Sequence, residues 1–232
     1  MRTAAVVPAA GRGERLGPGG PKALRLLAGE PLLVHAVRAL GSVVDLVVVA
    51  APPAPGAAEE VDALLRPVVG PARLVVVAGG GTRQESVRLA LAVLPAEVTG
   101  VLVHDAARPL APAGLARSVL AALDGGADAV IPALPVTDTV KLVDAAERVV
   151  QTVDRSVLRA VQTPQGFRRD VLAQAHGAPG ADRLEATDDA GLVERLGLPV
   201  LVVPGSEEAF KVTRPLDLAL AEAVLAARAG RS

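Results

Sequence analysis

Continuous apolar runs alternate with amphipathic stretches along most of this chain. The runs Ala4–Val7, Val43–Ala50, Leu74–Ala78, Gly100–His104, Ala127–Ala133 and Pro199–Val203 are rich in valine, leucine and alanine and lack a regular polar alternation. Strands buried on both faces read this way. Between them, Leu32, Leu33, Ala36, Val37 and Leu40 share one helical face, as do Val87, Leu91 and Leu94. The alternation predicts an α/β fold, a Rossmann-like and mostly parallel sheet with helices on both faces. Ligands of such sheets sit beyond the carboxyl ends of the strands, so the residues after each run are the places to look for chemistry.

One segment breaks the rhythm. In residues 137–154, "TDTVKLVDAAERVVQTVD", two short β-like runs flank a turn-like Asp144–Glu147. The pattern predicts a hairpin projecting from the main sheet, a β-arm at about residues 137–155. A two-stranded hairpin is marginal by itself, so the arm is expected to pack on a second copy of the chain and make a homodimer.

Composition narrows the function. A net charge of −1 excludes binding to nucleic acid through overall basicity. The absence of cysteine removes disulfides, thiolate metal sites and cysteine nucleophiles, and His35, His104 and His176 lie far apart in sequence. The first apolar run is interrupted by Pro8 and Gly11, too soon for a signal-peptide core. No uninterrupted apolar stretch approaches the ~20 residues that span a bilayer. The expectation is a cytoplasmic protein with neither nucleic acid nor membrane as partner. Only Lys22, Lys141 and Lys211 are lysines among 24 basic residues. Because a compact ammonium and a planar guanidinium are not interchangeable, each surviving lysine becomes informative.

The strand ends hold the candidate chemistry. "VPAAGRGERLGPGGPKAL" (7–24) matches neither common phosphate fingerprint. Its glycines run Gly11-x-Gly13-x-x-x-Gly17 rather than G-x-G-x-x-G, and Lys22 stands between Pro21 and Ala23 rather than in G-K-[ST]. What remains is a loop whose N–H groups and basic side chains can wrap a polyphosphate, or a plain glycine-rich surface loop. In "AGGGTRQESV" (78–87), glycines permit close approach of backbone to ligand, and a helix is predicted to start near Arg83. Ser86 there either bonds a base edge or caps that helix. In "VLVHDAARPL" (101–110), Asp105 directly follows a strand. It can bind a metal ion, orient a substrate hydroxyl, or pair internally with Arg108. His104 is read as a packed structural histidine.

Taken together, PAAGxGxR, GGxxRxxSV, HDAARP, PVxDTxK, TVDRxxLxxxxTPQ, TDDA and KVTRPxDLALAE occur in order from Pro8 to Glu222. This set resembles the 2-C-methyl-D-erythritol 4-phosphate cytidylyltransferase family. The resemblance implies a single nucleotidyltransferase domain over residues 1–232. It also implies the transfer of CMP from CTP to 2-C-methyl-D-erythritol 4-phosphate, with Mg2+. By similarity, Arg15, Lys22 and Lys211 are the catalytic cations. Pro8, Ala9, Ala10, Gly11, Gly13, Gly80, Gly81 and Ser86 match CTP contacts. Asp105, Arg108, Thr139, Arg155, Thr163 and Thr187 match substrate contacts, Arg155 and Thr163 serving the partner's site, with Asp105 also the candidate metal ligand. Glu208-Ala209-Phe210 departs from the family's usual Asp-Asn, which leaves Glu208 as a weak candidate for a second metal carboxylate. A ribitol-5-phosphate cytidylyltransferase shares most of these motifs and is the alternative, followed by a non-catalytic nucleotide-binding scaffold.

Overall fold

The computed structural model describes residues 1–11, 16, 20–178 and 187–230. The first half of the chain alternates strands and helices: β1 (Thr3–Pro8), a small hairpin of β2 (Leu26–Leu27) and β3 (Glu30–Pro31), α1 (Leu32–Gly41), β4 (Leu46–Ala51), α2 (Ala57–Leu65), β5 (Arg73–Ala78), α3 (Arg83–Ala92) and β6 (Gly100–Val103). There follow α4 (Ala113–Asp124), β7 (Ala129–Pro135), β8 (Val140–Val143), β9 (Val149–Val153), β10 (Arg159–Val161) and β11 (Gln165–Arg168). The chain closes with α5 (Arg169–Gly177), α6 (Ala190–Arg195), β12 (Leu201–Pro204) and α7 (Pro215–Ala229).

Side chains on a strand point alternately to the two faces of its sheet. In β1 and β4, both sets are apolar because both faces are covered. Ala5, Val7, Val47 and Val49 join Val37 and Leu40 of α1 and Val61 and Leu65 of α2 in one core. Ala4, Val6, Leu46 and Val48 join Val87 of α3, Leu172 of α5 and Val193 of α6 in the other. These cores are aliphatic: Phe167 is the one aromatic among the buried hydrophobic residues described.

The central strands run β11-β6-β1-β4-β5, with β7 beyond β11 and β12 beyond β7. The pairs β1–β4, β1–β6, β4–β5 and β7–β12 are parallel, as the sequence predicts. Strand β11 runs antiparallel to both β6 and β7, and β10 pairs antiparallel with the far end of β7. This reversal is absent from the periodicity reading, since "QGFR" is short and follows Pro164. It has a functional result: entering at Gln165, opposite Val103, β11 delivers Thr163 to the carboxyl end of β6.

The expected hairpin is present as the antiparallel pair β8–β9, a separate two-stranded sheet. Leu142, Val149 and Val150 on it are more than half exposed. The run expected to begin at Val43 starts later, because the Val43 and Val44 N–H groups donate to Leu40 O and close α1. Among the described residues, no helix is long and apolar enough to cross a membrane.

Candidate active site

From β1 the chain proceeds to β4 and β5 on one side, then to β6 on the other, so the strand order reverses beside β1. Open α/β sheets bind ligands at such a switch point. Three loops and one incoming segment build the site there. After β1, Ala9 N–H donates to Ala50 O at 2.8 Å, and the loop returns so that Lys22 N–H donates to Gly11 O at 3.1 Å. After β5, Gly79 N–H donates to Ala51 O at 2.8 Å. A Cβ on Gly79 would lie 2.6 Å from that backbone oxygen, so this close approach demands glycine.

Helix α3 then starts with its own cap. Thr82 Oγ1 accepts from Glu85 N–H at 3.0 Å, while the Glu85 carboxylate accepts from Gly81 N–H at 2.8 Å. Ser86 is therefore not the cap. Its buried hydroxyl donates to Thr82 O at 2.8 Å and accepts from Gly80 N–H at 3.1 Å, shaping the glycine loop from below.

After β6, the Asp105 N–H donates to Thr163 Oγ1 at 3.1 Å, and that hydroxyl lies 2.9 Å from His104 Nδ1. With the hydroxyl donating to Nδ1, the His104 Nε2–H donates to Arg108 O at 3.2 Å. Burial pushes the His104 pKa down to about 4, so this fully enclosed ring stays neutral and structural, as the sequence suggests. Finally, Val212 N–H donates to Ala107 O at 2.8 Å, which brings Lys211 to the same place from the far end of the chain.

Between these segments lies a cleft of about 590 Å3. Of the residues proposed from sequence, Pro8, Ala9, Ala10, Gly11, Lys22, Gly80, Gly81, Ser86, Asp105 and Lys211 line it. Gly13 and Arg15 lie outside the described residues. Thr163 stands behind Asp105. Thr139 and Arg155 are exposed at the foot of the arm, where the Arg155 guanidinium donates to Thr137 O, and Thr187 is exposed ahead of α6.

Asp105 is the one carboxylate among the described lining residues. Of the roles left open by the sequence, the internal ion pair with Arg108 is not formed. Its Oδ2 accepts from Lys211 Nζ at 2.8 Å and its Oδ1 from Arg83 Nε at 3.2 Å. Arg108 instead donates to Ala209 O at 2.6 Å and Val161 O at 3.1 Å, tying three loops together. Burial alone would raise the Asp105 pKa, but Arg83 and then Lys211 hold its carboxyl well below the usual range. Burial also works against the Arg83 charge, yet Asp189 and Asp105 keep its pKa above the ordinary arginine value. Glu208 is engaged by Arg228, and no group of three or more His, Cys, Asp or Glu able to hold a metal occurs among the described residues.

Sequence reasoning missed Arg83 as a site residue. It also missed Asp189, which holds the other side of Arg83 with 2.8 Å between Oδ2 and Nη1. Both stand inside quoted motifs, GGxxRxxSV and TDDA, but only the fold reveals that they meet. Two lysines, one arginine and a glycine-lined backbone around a single paired carboxylate make a site suited to polyphosphate. Its chemistry is charge neutralisation and alignment.

Comparison with known proteins agrees. The family model for 2-C-methyl-D-erythritol 4-phosphate cytidylyltransferase matches residues 3–227. A relative of that name from Streptomyces coelicolor is 60% identical over 98% of this chain and 86% of its own length. Another, from Frankia casuarinae, is 56% identical over 97% of this chain and 82% of its own. The crystal structure of the Thermus thermophilus enzyme superimposes with a TM-score of 0.77 at 38% identity, covering 97% of this chain and 98% of the other. Fold, cleft and sequence thus converge, and this chain belongs to the 2-C-methyl-D-erythritol 4-phosphate cytidylyltransferase family.

Proposed function

We propose that this chain transfers the CMP group of CTP to 2-C-methyl-D-erythritol 4-phosphate, releasing pyrophosphate and forming the 4-diphosphocytidyl alcohol. The observation that carries the reading is the meeting of Lys22 and Lys211, from opposite ends of the sequence, in one cleft with Asp105. The names borne by the relatives favour this acceptor over ribitol 5-phosphate.

In the reaction a phosphate oxygen of the acceptor attacks the α-phosphorus of CTP, and the bond to the β-phosphate oxygen breaks in line. The nucleophile is already an anion, so no general base is needed. The protein's task is to neutralise and align. Lys22 and Lys211 supply positive charge at the α-phosphate as it gains charge, and Arg15 supplies it along the triphosphate. The backbone of Ala9, Ala10, Gly11 and Gly13 cradles the phosphates. Gly80 and Gly81, shaped by Ser86, face cytosine. Asp105, Arg108, Thr139, Arg155 and Thr187 receive the acceptor, and the buried Thr163 supports Asp105 from behind.

Mg2+ fits the donor set, because it binds through one or two carboxylates plus substrate phosphates, and Asp105 supplies one carboxylate. When bound, it would neutralise phosphate charge beside Asp105. The catalytic unit is one domain spanning residues 1–232. Its exposed apolar arm, β8–β9, joins two copies and carries Arg155 toward the partner's site.

Pyrophosphate release tests the reading. CTP with methylerythritol phosphate is expected to release it. CTP with ribitol 5-phosphate, or ATP, GTP or UTP in place of CTP, is expected to release far less. A preference for ribitol 5-phosphate would overturn the acceptor, and silence with both acceptors would favour a scaffold.

A further inference from the structure

Two buried polar groups behind the cleft have no part in the mechanism above. Asp189 is 1% exposed and His176 is 5% exposed. The His176 Nε2–H donates to Asp189 Oδ1 at 3.0 Å. Asp189 occupies the position before α6, where an aspartate side chain ordinarily caps the helix. Here it makes no cap bond. Its neighbour Asp188 instead accepts from Gly191 N–H at 3.0 Å and from the Gln165 amide at 2.8 Å. The Asp189 side chain therefore turns inward, toward Arg83.

The contacts form an unbroken line. From His176 it passes to Asp189 Oδ1, and from Asp189 Oδ2 to Arg83 Nη1. From Arg83 Nε it passes to Asp105 Oδ1, and Asp105 Oδ2 ends on Lys211 Nζ. Arg83 uses two different nitrogens of one rigid, planar group to hold two carboxylates, so fixing one side fixes the other. A buried ion pair is a poor device for stability alone, because well-packed apolar side chains serve as well or better.

We infer that Asp189, itself held by His176, is a positioning residue for the transfer: it locks Arg83, and Arg83 sets the Asp105 carboxylate against Lys211. Neither Asp189 nor His176 lines the cleft. Without the Asp189 charge, Arg83 retains Asp105 as its carboxylate partner but loses its rear anchor. The angle of the Asp105 carboxylate, and with it the place of the Lys211 ammonium, is then no longer defined. The inference rests on the cytidylyl transfer proposed above.

A double-mutant cycle separates positioning from mere structure. Steady-state rates with CTP and methylerythritol phosphate are measured for wild type, Asp189→Asn, Arg83→Ala and the double variant. Because misplacement by about 1 Å can cost up to about 10²-fold, kcat of Asp189→Asn is expected to fall about tenfold or more, with the KM for CTP within about threefold. In the Arg83→Ala background the same substitution is expected to cost no further kcat. An Asp189→Asn kcat within about twofold of wild type, or losses that multiply in the double variant, overturns the inference. Inactive wild type would defeat the functional reading itself, so the two failures are distinguishable. If circular dichroism shows Asp189→Asn unfolded, His176→Gln takes its place in the cycle. A several-fold kcat loss that vanishes with Arg83→Ala supports positioning, and an absent or multiplying loss overturns it.

Discussion

The strand-end cluster and the arm both hold aspartate–arginine pairs, but they use them in opposite surroundings. In the arm, Asp144 and Arg148 are four residues apart and pair at 2.9 Å on the surface. The Asp144 carboxyl is held below its usual range mainly by hydrogen bonds from Arg148, a local turn device. In the cluster, Asp105 meets Lys211 across 106 residues of sequence, and Arg83 bridges Asp105 to a nearly inaccessible Asp189. Exposed pairs contribute little to stability. Enclosed ones act on whatever enters beside them, because the surrounding dielectric is low. This contrast is the ground for proposing chemistry at the cluster and assembly at the arm.

The largest expected effect strips charge from the cluster. Lys22→Ala and Lys211→Ala should each lower kcat by about 10²–10³, the usual consequence of losing a preorganised group that stabilises transition-state charge. Both variants should keep wild-type melting curves. Near-wild-type turnover in either would remove the cluster from the chemistry and erase the contrast with the arm.

The second effect is on stability and comes from His104. In the unfolded chain this ring takes up a proton near its ordinary value of 6.5, whereas the folded protein resists protonation until about pH 4. Its contribution is complete above pH 6.5 and declines as the pH falls toward 4. The decline is on the order of 3 kcal/mol, from 1.36 kcal/mol per pKa unit. Urea unfolding of His104→Gln, which cannot titrate, should show a flatter dependence over that window than wild type. Parallel slopes for the two proteins would show that the ring is not insulated.

The smallest effect on the single chain belongs to the arm. Leu142→Ser with Val150→Ser should change stability by no more than about 0.5 kcal/mol per site, as exposed positions do. Light scattering should nonetheless show the pair of changes shifting dimer toward monomer. A dimer that persists would place the contact elsewhere.

These same differences explain what could be read from sequence. Each of the six apolar runs contains a strand and the two helical faces fall in α1 and α3, with Leu94 just past the end of α3, because apolar periodicity is a local property. The hairpin was legible for the same reason: two short β-like runs flank a turn. Strand β11 was not, since its direction depends on pairing with β6 and β7 rather than on its four residues. At the site, motifs supplied Lys22, Asp105 and Lys211 as separate residues. That Asp105 prefers Arg83 to the nearby Arg108 follows from where α3 begins, and Arg108 turns instead to two backbone carbonyls. Of the two roles open to Ser86, the helix cap is filled by Thr82, because the sequence offers both hydroxyls and only the register of α3 decides between them.

The aliphatic cores have an optical consequence. This chain contains neither tryptophan nor tyrosine, and its aromatic content is two phenylalanines. The protein is therefore almost transparent in the near ultraviolet, where cytosine absorbs strongly. A nucleotide entering the cleft would be nearly the sole chromophore in the sample. Its near-ultraviolet circular dichroism would report the asymmetry of the pocket without a protein background, so occupancy of the site can be followed with no label at all.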